Sequence, residues 1–308
     1  MGTVSKLTGV LATSISKVSG VVITSFAKIA GQLVSLFTNT NAVAKSITVT
    51  DAQSIRLHDT NAMGVEWDQS DDFSISFWVK PGWNSTHSSS TYLFFMNDIG
   101  GGVHDNTIRM WYKRSNNRLN VDWRSSSTAK TSQFWLFHSQ AAAYVDSYNA
   151  AGLGASYWSS ANRGNVGDDD YTMITITKGT GTSSAFTNLD LYWNGTTCGN
   201  GFYSSGNNTG TPSMGNNDRQ IALGSSTYGT YNLSGNAAET KFDGLTMWDK
   251  RLTAADVAEL YNSGTPIDAT THSASSDLKG YWEFEANGNA TVGGEAFVIS
   301  GNSNIEVR

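Results

Sequence analysis

The sequence predicts an all-β fold, an antiparallel two-sheet sandwich with one short helix that follows a β-rich repeat arm. Three observations support this prediction. Charged residues make up 15% of the 308 residues, whereas an average soluble domain has about 25%. Short segments in which apolar and polar residues alternate recur along most of the chain, separated by Gly, Ser and Asn. Only one segment has helical periodicity.

Residues 73–81 show the clearest strand pattern, because Phe, Ile or Val occupies every second position. Alternation of this kind is typical of a strand with one buried face. The other predicted strands are residues 91–96, 108–113, 118–123, 171–178, 189–195, 219–224, 241–249 and 278–285. The predicted core comprises Phe73, Ile75, Phe77, Ile174, Ile176, Leu189, Leu191, Leu245 and Met247.

The segment LTAADVAELYNSG predicts the one helix, over residues 253–263. Thr253 is a good N-cap, and Asp256 lies three residues further on, as in a capping box. Val257 and Leu260 fall on one face, and Gly264 follows the last turn. We therefore expect this helix to pack at one edge of the sandwich.

Residues 5–37 form three units with an eleven-residue period: SKLTGVLATSI, SKVSGVVITSF and AKIAGQLVSLF. A helix is disfavoured because the Gly in each unit would cost about 1 kcal/mol relative to Ala. Val, Ile and Thr dominate the other positions, which favours strands. The sequence predicts one short strand and one Gly turn in each unit, stacked as a ladder.

Three such units are too small to bury their own apolar side. We therefore expect an arm, residues 1–45, that is ordered in a homo-oligomer or on another protein. A homotrimer is favoured, with a dimer or docking on a different protein as alternatives. Residues 46–308 then form the main domain. The predicted oligomerisation residues are Leu7, Val10, Ile15, Val18, Val21, Phe26, Ile29 and Phe37.

The main domain resembles a known superfamily through the order of FSISFWVKP, YTMITITK with LDLYWNG, FDGLTMWDKRLTAADVAELYNSG and LKGYWEFE. This order is similar to laminin-G-like domains of the concanavalin A-like lectin/glucanase superfamily. The resemblance implies a jelly-roll sandwich used mostly for binding glycans or proteins. Residues 124–168 are longer than the usual connection of that family, so we expect an insertion at one rim.

The arm resembles the repeated N-terminal arms of structural proteins of tailed bacteriophages. That resemblance implies a virion surface protein, on capsid, tail or fibre, which contacts other virion proteins through its arm. A bacterial secreted or cell-surface lectin-like adhesin is the alternative. The alternative is less favoured because the first residues do not have the pattern of a secretory signal, since Lys17 and several Ser residues interrupt the apolar run.

The sequence does not favour an enzyme. Glycoside hydrolases of the superfamily carry several carboxylates on one strand face, and the nearest match is Glu283 and Glu285, with no third acid at the required spacing. Nucleic acid is an unexpected partner because the net charge is −6 and the basic residues are scattered. No apolar run is long enough for a membrane span. The histidines lack zinc-binding spacing, and Cys198 has no partner for a disulfide.

Two kinds of ligand remain for the predicted loops. We predict no cofactor, with Ca²⁺ as an alternative at Asp98 and Asp105, which flank a Gly run but lack EF-hand spacing. The run Asp168 to Asp170 is interpreted as a solvated loop. A glycan would bind exposed aromatic rings in Gly/Ser/Asn-rich loops, and the alternative for each ring is to pack its own loop. The predicted glycan-binding residues are Trp83, Tyr157, Trp158, Tyr228 and Tyr231.

Overall fold

The computed structural model describes residues 17–18, 21–22, 26–29, 32–35, 45–49, 54–59, 63–68, 70–80, 90–98, 107–113, 118–124, 129–135, 171–180, 189–200, 202–204, 219–224, 240–284, 288–300 and 305–307, in some strands for the backbone alone. The chain divides into two compact units, Met1–Thr40 and Asn41–Arg308. We call them the arm and the main unit. Within the described residues, no helix is long and apolar enough to cross a membrane.

The described elements are strands, one α-helix and three short 3-10 turns. The helix α1 is Ala254–Tyr261. The strands are β1 Lys17–Val18, β2 Val21–Val22, β3 Phe26–Ile29, β4 Gln32–Ser35, β5 Lys45–Val49, β6 Ser54–Asp59, β7 Phe73–Lys80, β8 Ser90–Asp98, β9 Thr107–Lys113, β10 Arg118–Arg124, β11 Ala129–Trp135, β12 Thr172–Lys178, β13 Leu189–Trp193, β14 Thr196–Asn200, β15 Phe202–Ser204, β16 Arg219–Leu223, β17 Thr240–Trp248, β18 Leu278–Trp282, β19 Val298–Ser300 and β20 Ile305–Val307.

The main unit contains two antiparallel sheets. Sheet I has the order β14-β13-β12-β7-β17-β5-β20, with β18 also paired to β17. Sheet II has the order β15-β11-β10-β9-β8-β16-β6-β19. The predicted fold class is confirmed: the described residues are mostly β, with two antiparallel sheets and one short helix. All of the strands predicted from alternation are present, with ends that differ by at most a few residues.

The core lies between the two sheets. All nine predicted core residues are at most 1% exposed, so the predicted inward face is correct for every strand that carries them. The rings of Phe77 on β7 and Phe94 on β8 stack across the sandwich, with their centroids 6.5 Å apart. Alternation predicted these faces well because a slip of one residue would expose the whole inward set.

A second apolar cluster covers the outer face of sheet I. Trp78, Met173, Tyr192 and Trp248 project from the sheet and pack against Val257 and other residues of α1 and the following turns. Thr253 and Asp256 form the capping box that the sequence predicted. The helix therefore packs on a sheet face, and its Tyr261 stacks on Trp78 at 5.7 Å between ring centroids.

The arm is β-rich, but its repeat differs from the prediction. Each of the two units whose strands are described contains two antiparallel strands rather than one. Lys17 pairs with Val22 and Val18 with Val21 in the first hairpin, and the second runs from Phe26↔Ser35 to Ile29↔Gln32. The reason is that two residues, the second of them Gly, separate the strands, which is the spacing of a two-residue hairpin connection.

Only the first part of the predicted rim insertion is described. Its beginning is strand β11, which pairs with β10 along its whole length and so extends sheet II. Its polar sequence, AKTSQFW, alternates too weakly to have been recognised as a strand. The rest of the insertion, residues 136–168, lies outside the described residues.

Candidate functional site

The outer face of sheet II carries a group of polar and aromatic side chains. On β8, β9 and β16 the inward residues Met96, Ile108, Met110 and Ile221 belong to the core. Their neighbours in sequence therefore belong to the outer face. We call this group the polar face. Its members are Asn97, Arg109, Trp111, Asn120 and Gln220.

Strand register brings these residues onto adjacent strands. Gln220 of β16 pairs with Asn97 of β8, and Trp111 of β9 pairs with Asn120 of β10. Arg109 lies two residues before Trp111 on the same strand. Because paired residues of neighbouring strands share a face, the polar face extends across four strands.

Trp111 and Arg109 form the centre of this face. The guanidinium carbon of Arg109 lies 5.7 Å from the centroid of the Trp111 ring, a cation–π arrangement. Both residues are half-buried, as is Gln220. The Asn120 side chain is 1% exposed, and its Nδ2 donates to the backbone oxygen of Trp111 at 3.4 Å. Asn120 therefore helps to hold the strand that carries the ring.

The chemistry of the polar face suits a polar ligand with apolar surface. A Trp ring offers an apolar face, a guanidinium offers several N–H donors, and a Gln amide can donate and accept. Sequence reasoning missed these residues because it searched loops for exposed aromatics. The sequence signal that could have revealed them lies in predicted strands such as IRMWYK, where polar and aromatic residues alternate with the core residues.

A second candidate is an acidic pocket of about 290 Å³ at the start of β7, lined by Gly64, Glu66, Asp71, Asp72 and Asp249. Its carboxylates already accept hydrogen bonds from the chain. The Trp67 indole donates to Asp249 Oδ1 at 2.6 Å, and the Thr180 backbone N–H donates to Asp72 Oδ1 at 2.5 Å. These bonds join the start of β7 to the ends of β12 and β17.

The electrostatics of this pocket fit a structural role. Burial raises the pKa of Asp71, and burial lowers the pKa of Lys178, an effect that Asp72 and Asp71 oppose. The Lys178 ammonium donates to the backbone oxygen of Asp71 at 2.5 Å. Within the described residues, no group of three or more His, Cys, Asp or Glu side chains could hold a metal ion.

The predicted sites fall mostly where the structure gives no description. Asp105 and the run Asp168 to Asp170 lie outside the described residues, while Asp98 ends β8 and pairs with Arg219. The glycan-binding candidates that lie outside the described residues are Trp83, Tyr157, Trp158, Tyr228 and Tyr231. They stay predictions.

The predicted oligomerisation residues divide into two groups. Leu7, Val10, Ile15 and Phe37 lie outside the described residues. Val18, Val21, Phe26 and Ile29 belong to the strands of the arm hairpins.

Glu283, one of the two acids considered for hydrolysis, is not on the polar face. Glu283 is half-buried beyond the end of β18, a strand that pairs with β17 in sheet I. It lies between Trp282 and Phe284, which are both buried in the core. Glu285 lies outside the described residues. The polar face belongs to the other sheet.

Comparison with known proteins gives the fold and no closer relationship. No protein-family model matches the sequence, and no curated protein matches it. Solved structures do match. A heptameric SAP-like pentraxin from Limulus polyphemus is 12% identical, with 86% of this chain and 96% of that chain covered and a TM-score of 0.44.

Two further solved structures are named as binding proteins. A putative carbohydrate binding protein from Bacteroides ovatus is 10% identical, with a TM-score of 0.46, over 86% of this chain and 60% of that chain. The binding domain of botulinum neurotoxin serotype G is 15% identical, with a TM-score of 0.39, over 77% of this chain and 49% of that chain. At such identities the likeness concerns the fold alone.

Proposed function

We propose that the chain is a non-enzymatic surface structural protein of a tailed-phage virion, a decoration or fibre-type appendage. In this proposal the arm anchors the chain and joins it into a homotrimer, and the main unit displays a glycan-binding surface. The observation that carries the binding role is the polar face, in which Arg109 and Trp111 lie together on the outside of sheet II. The resemblance of the arm to phage structural proteins supports the virion location.

The polar face suits a glycan because sugars combine hydroxyl groups with apolar C–H faces. The Trp111 ring would pack on a C–H face, and Arg109 and Gln220 would bond with hydroxyl groups. These side chains project from paired strands, which hold them more rigidly than a loop would. We propose that the loop aromatics predicted from sequence, such as Trp83 and Trp158, extend the same kind of contact.

Binding without hydrolysis is supported by the position of the acids. Glycoside hydrolysis needs two carboxyl groups that flank one bond, one to protonate the leaving group and one to attack or activate water. Glu283 follows a strand of sheet I, so it lies apart from the polar face of sheet II. We expect no polysaccharide cleavage.

The anchoring role is supported by the two arm hairpins. Each forms its own two-stranded sheet. A lone two-stranded hairpin is marginally stable in water, so contacts with other copies or with a host protein would stabilise the arm. Val18 and Val21 pair in the first hairpin and supply apolar surface for such contacts.

The alternative function, a bacterial secreted or cell-surface lectin-like adhesin, would use the same arm and polar face at a cell surface. Localisation by electron microscopy in the source organism would separate these two locations.

The test of glycan binding is a Trp111→Ala variant with a matched Tyr261→Ala control. Both residues are half-buried aromatics, but Tyr261 stacks on Trp78 over sheet I. On an oligosaccharide array followed by titration calorimetry, we expect Trp111→Ala to weaken binding at least about tenfold, the scale of one lost aromatic contact. Tyr261→Ala should bind as the wild type does. Equal binding by all three proteins, or no glycan bound by the wild type, would refute the proposed role of the polar face.

A further inference from the structure

The charges of the chain are segregated along the sequence. Of the 20 basic and 26 acidic residues, the arm contains three lysines and no Asp or Glu. The main unit therefore holds 17 basic and 26 acidic residues, so the two units have net charges of +3 and −9. The overall charge of −6 hides this separation.

The hairpin register places two of these lysines at equivalent positions. Lys17 pairs with Val22 in the first hairpin, and Lys28 pairs with Leu33 in the second. The adjacent pairs are Val18↔Val21 and Ile29↔Gln32, which belong to the opposite face because successive strand residues alternate. Each hairpin therefore has a lysine-bearing face and a second face that carries Val18 and Val21 or Ile29. By the same alternation, the lysine-bearing face also carries Val22 in the first hairpin and Phe26 and Leu33 in the second.

We propose that the lysine-bearing face of the arm binds the acidic main unit of a second copy of this chain. The proposal rests on the proposed anchoring role, because both require the arm to contact other copies. In this proposal the lysines contact a main unit, and the apolar residues of the hairpins contact other arms. Lys6, at the same position of the first repeat, would add a third equivalent charge.

Charge complementarity favours a second copy over other anionic partners. A nucleic acid or an anionic membrane would attract the arm but repel the main unit, which has a net charge of −9. A second copy presents that same acidic unit to the arm. Each exposed ion pair contributes little, so the lysines would adjust the strength and orientation of an association that apolar contacts also support.

The experiment measures self-association of the full chain by analytical ultracentrifugation at about 0.05 M and about 0.5 M NaCl, since salt screens exposed charges. We expect the dissociation constant of the wild type to rise several-fold at the higher salt. A Lys17→Glu, Lys28→Glu variant should associate at least about tenfold more weakly at low salt and lose the salt dependence. The matched control, Lys17→Arg with Lys28→Arg, keeps both charges and should behave as the wild type does.

Two results would overturn the inference: wild-type association that is unchanged or stronger at high salt, or a Glu variant that associates like the wild type. Binding of the wild type to duplex DNA or to phosphatidylserine vesicles more tightly than to itself would also overturn it. A Val18→Asp, Val21→Asp variant separates this inference from the proposed anchoring role. If the Val18→Asp, Val21→Asp variant associates like the wild type, the proposed anchoring role is wrong. If only the Lys17→Glu, Lys28→Glu variant associates like the wild type, the lysine inference is wrong and the anchoring role is still supported.

Discussion

Gly293 and Gly64 are two exposed glycines of the main unit with left-handed backbones, at φ 46° and 61°. They differ in their surroundings. A Cβ at Gly293 would collide with the backbone oxygen of Lys279, whereas a Cβ at Gly64 would meet no atom within 4 Å. Lys279 lies on β18, so Gly293 allows the segment after this strand to fold back against it.

Substitution by Ala should therefore cost different amounts at these two positions. We expect Gly64→Ala to lower the free energy of unfolding by about 1 kcal/mol, the cost of a left-handed backbone for a residue with a Cβ. Gly293→Ala should cost about 2–4 kcal/mol, because a rigid backbone collision is added. Urea denaturation of the two variants measures this difference, and equal costs would show that the collision does not exist.

His272 shows why a histidine on its own says little about function. Its ring is 2% exposed, and its Nδ1 accepts the backbone N–H of Ala274 at 3.0 Å. Its Nε2 lies 2.9 Å from the backbone oxygen of Asp256, so Nε2 carries the proton in a neutral ring. The residue joins the turns after α1 to the helix. The spacing of the histidines made a zinc site an unfavoured prediction, but it could not predict this structural role.

At the scale of elements, the N-terminus of α1 depends on a reciprocal cap. The Thr253 N–H donates to Asp256 Oδ2 at 2.8 Å, and the Asp256 N–H donates to Thr253 Oγ1 at 3.2 Å. Partial burial raises the pKa of Asp256, but these bonds with Thr253 and the nearby Lys250 outweigh it. The pKa is therefore held below its ordinary value of 3.8.

This lowered pKa predicts a pH-dependent contribution to stability. A depressed folded-state pKa stabilises the protein above the unfolded pKa, and the contribution is lost as the pH falls through the folded pKa. Above about pH 5, Asp256→Asn should therefore lower the free energy of unfolding by about 1 kcal/mol. The difference in this free energy from the wild type should shrink below the ordinary pKa of Asp. Chemical denaturation of Asp256→Asn across this pH range measures the difference, and Asp277→Asn serves as a control outside the cap. A difference that does not change with pH would contradict the prediction.

The elements also show where sequence patterns stop being informative. Strands such as β7 and β12 were predicted because their core-facing apolar residues recur at every second position, although both faces of these strands are buried. The strand β11 was missed because its outward and inward residues are both largely polar. In the arm, an eleven-residue unit is long enough for either one strand or a short hairpin, and the pattern of β-formers around a Gly fits both. The hairpin was therefore not distinguishable from a single strand.

At the scale of the whole molecule, the fold was more predictable than the site. The sandwich follows from many strands that each require a buried face, so errors at single residues do not change it. The candidate site depends on a few outward residues, such as Arg109 and Trp111, and outward positions carry no periodic signal that separates binding from solvation. Strand register was needed to show that Trp111 pairs with Asn120 and that the Asn97–Gln220 pair lies on the same face.

The central claim concerns the whole molecule: the arm joins copies of the chain, and the main unit folds without it to display the polar face. The most direct measurement is multi-angle light scattering of the full chain and of a chain that begins at residue 41, with circular dichroism to confirm the fold of each. The account predicts a particle of three copies for the full chain. The shortened chain should be a folded monomer, because the arm hairpins and the main unit have separate sheets. The same number of copies in both particles, or a shortened chain that fails to fold, would contradict it.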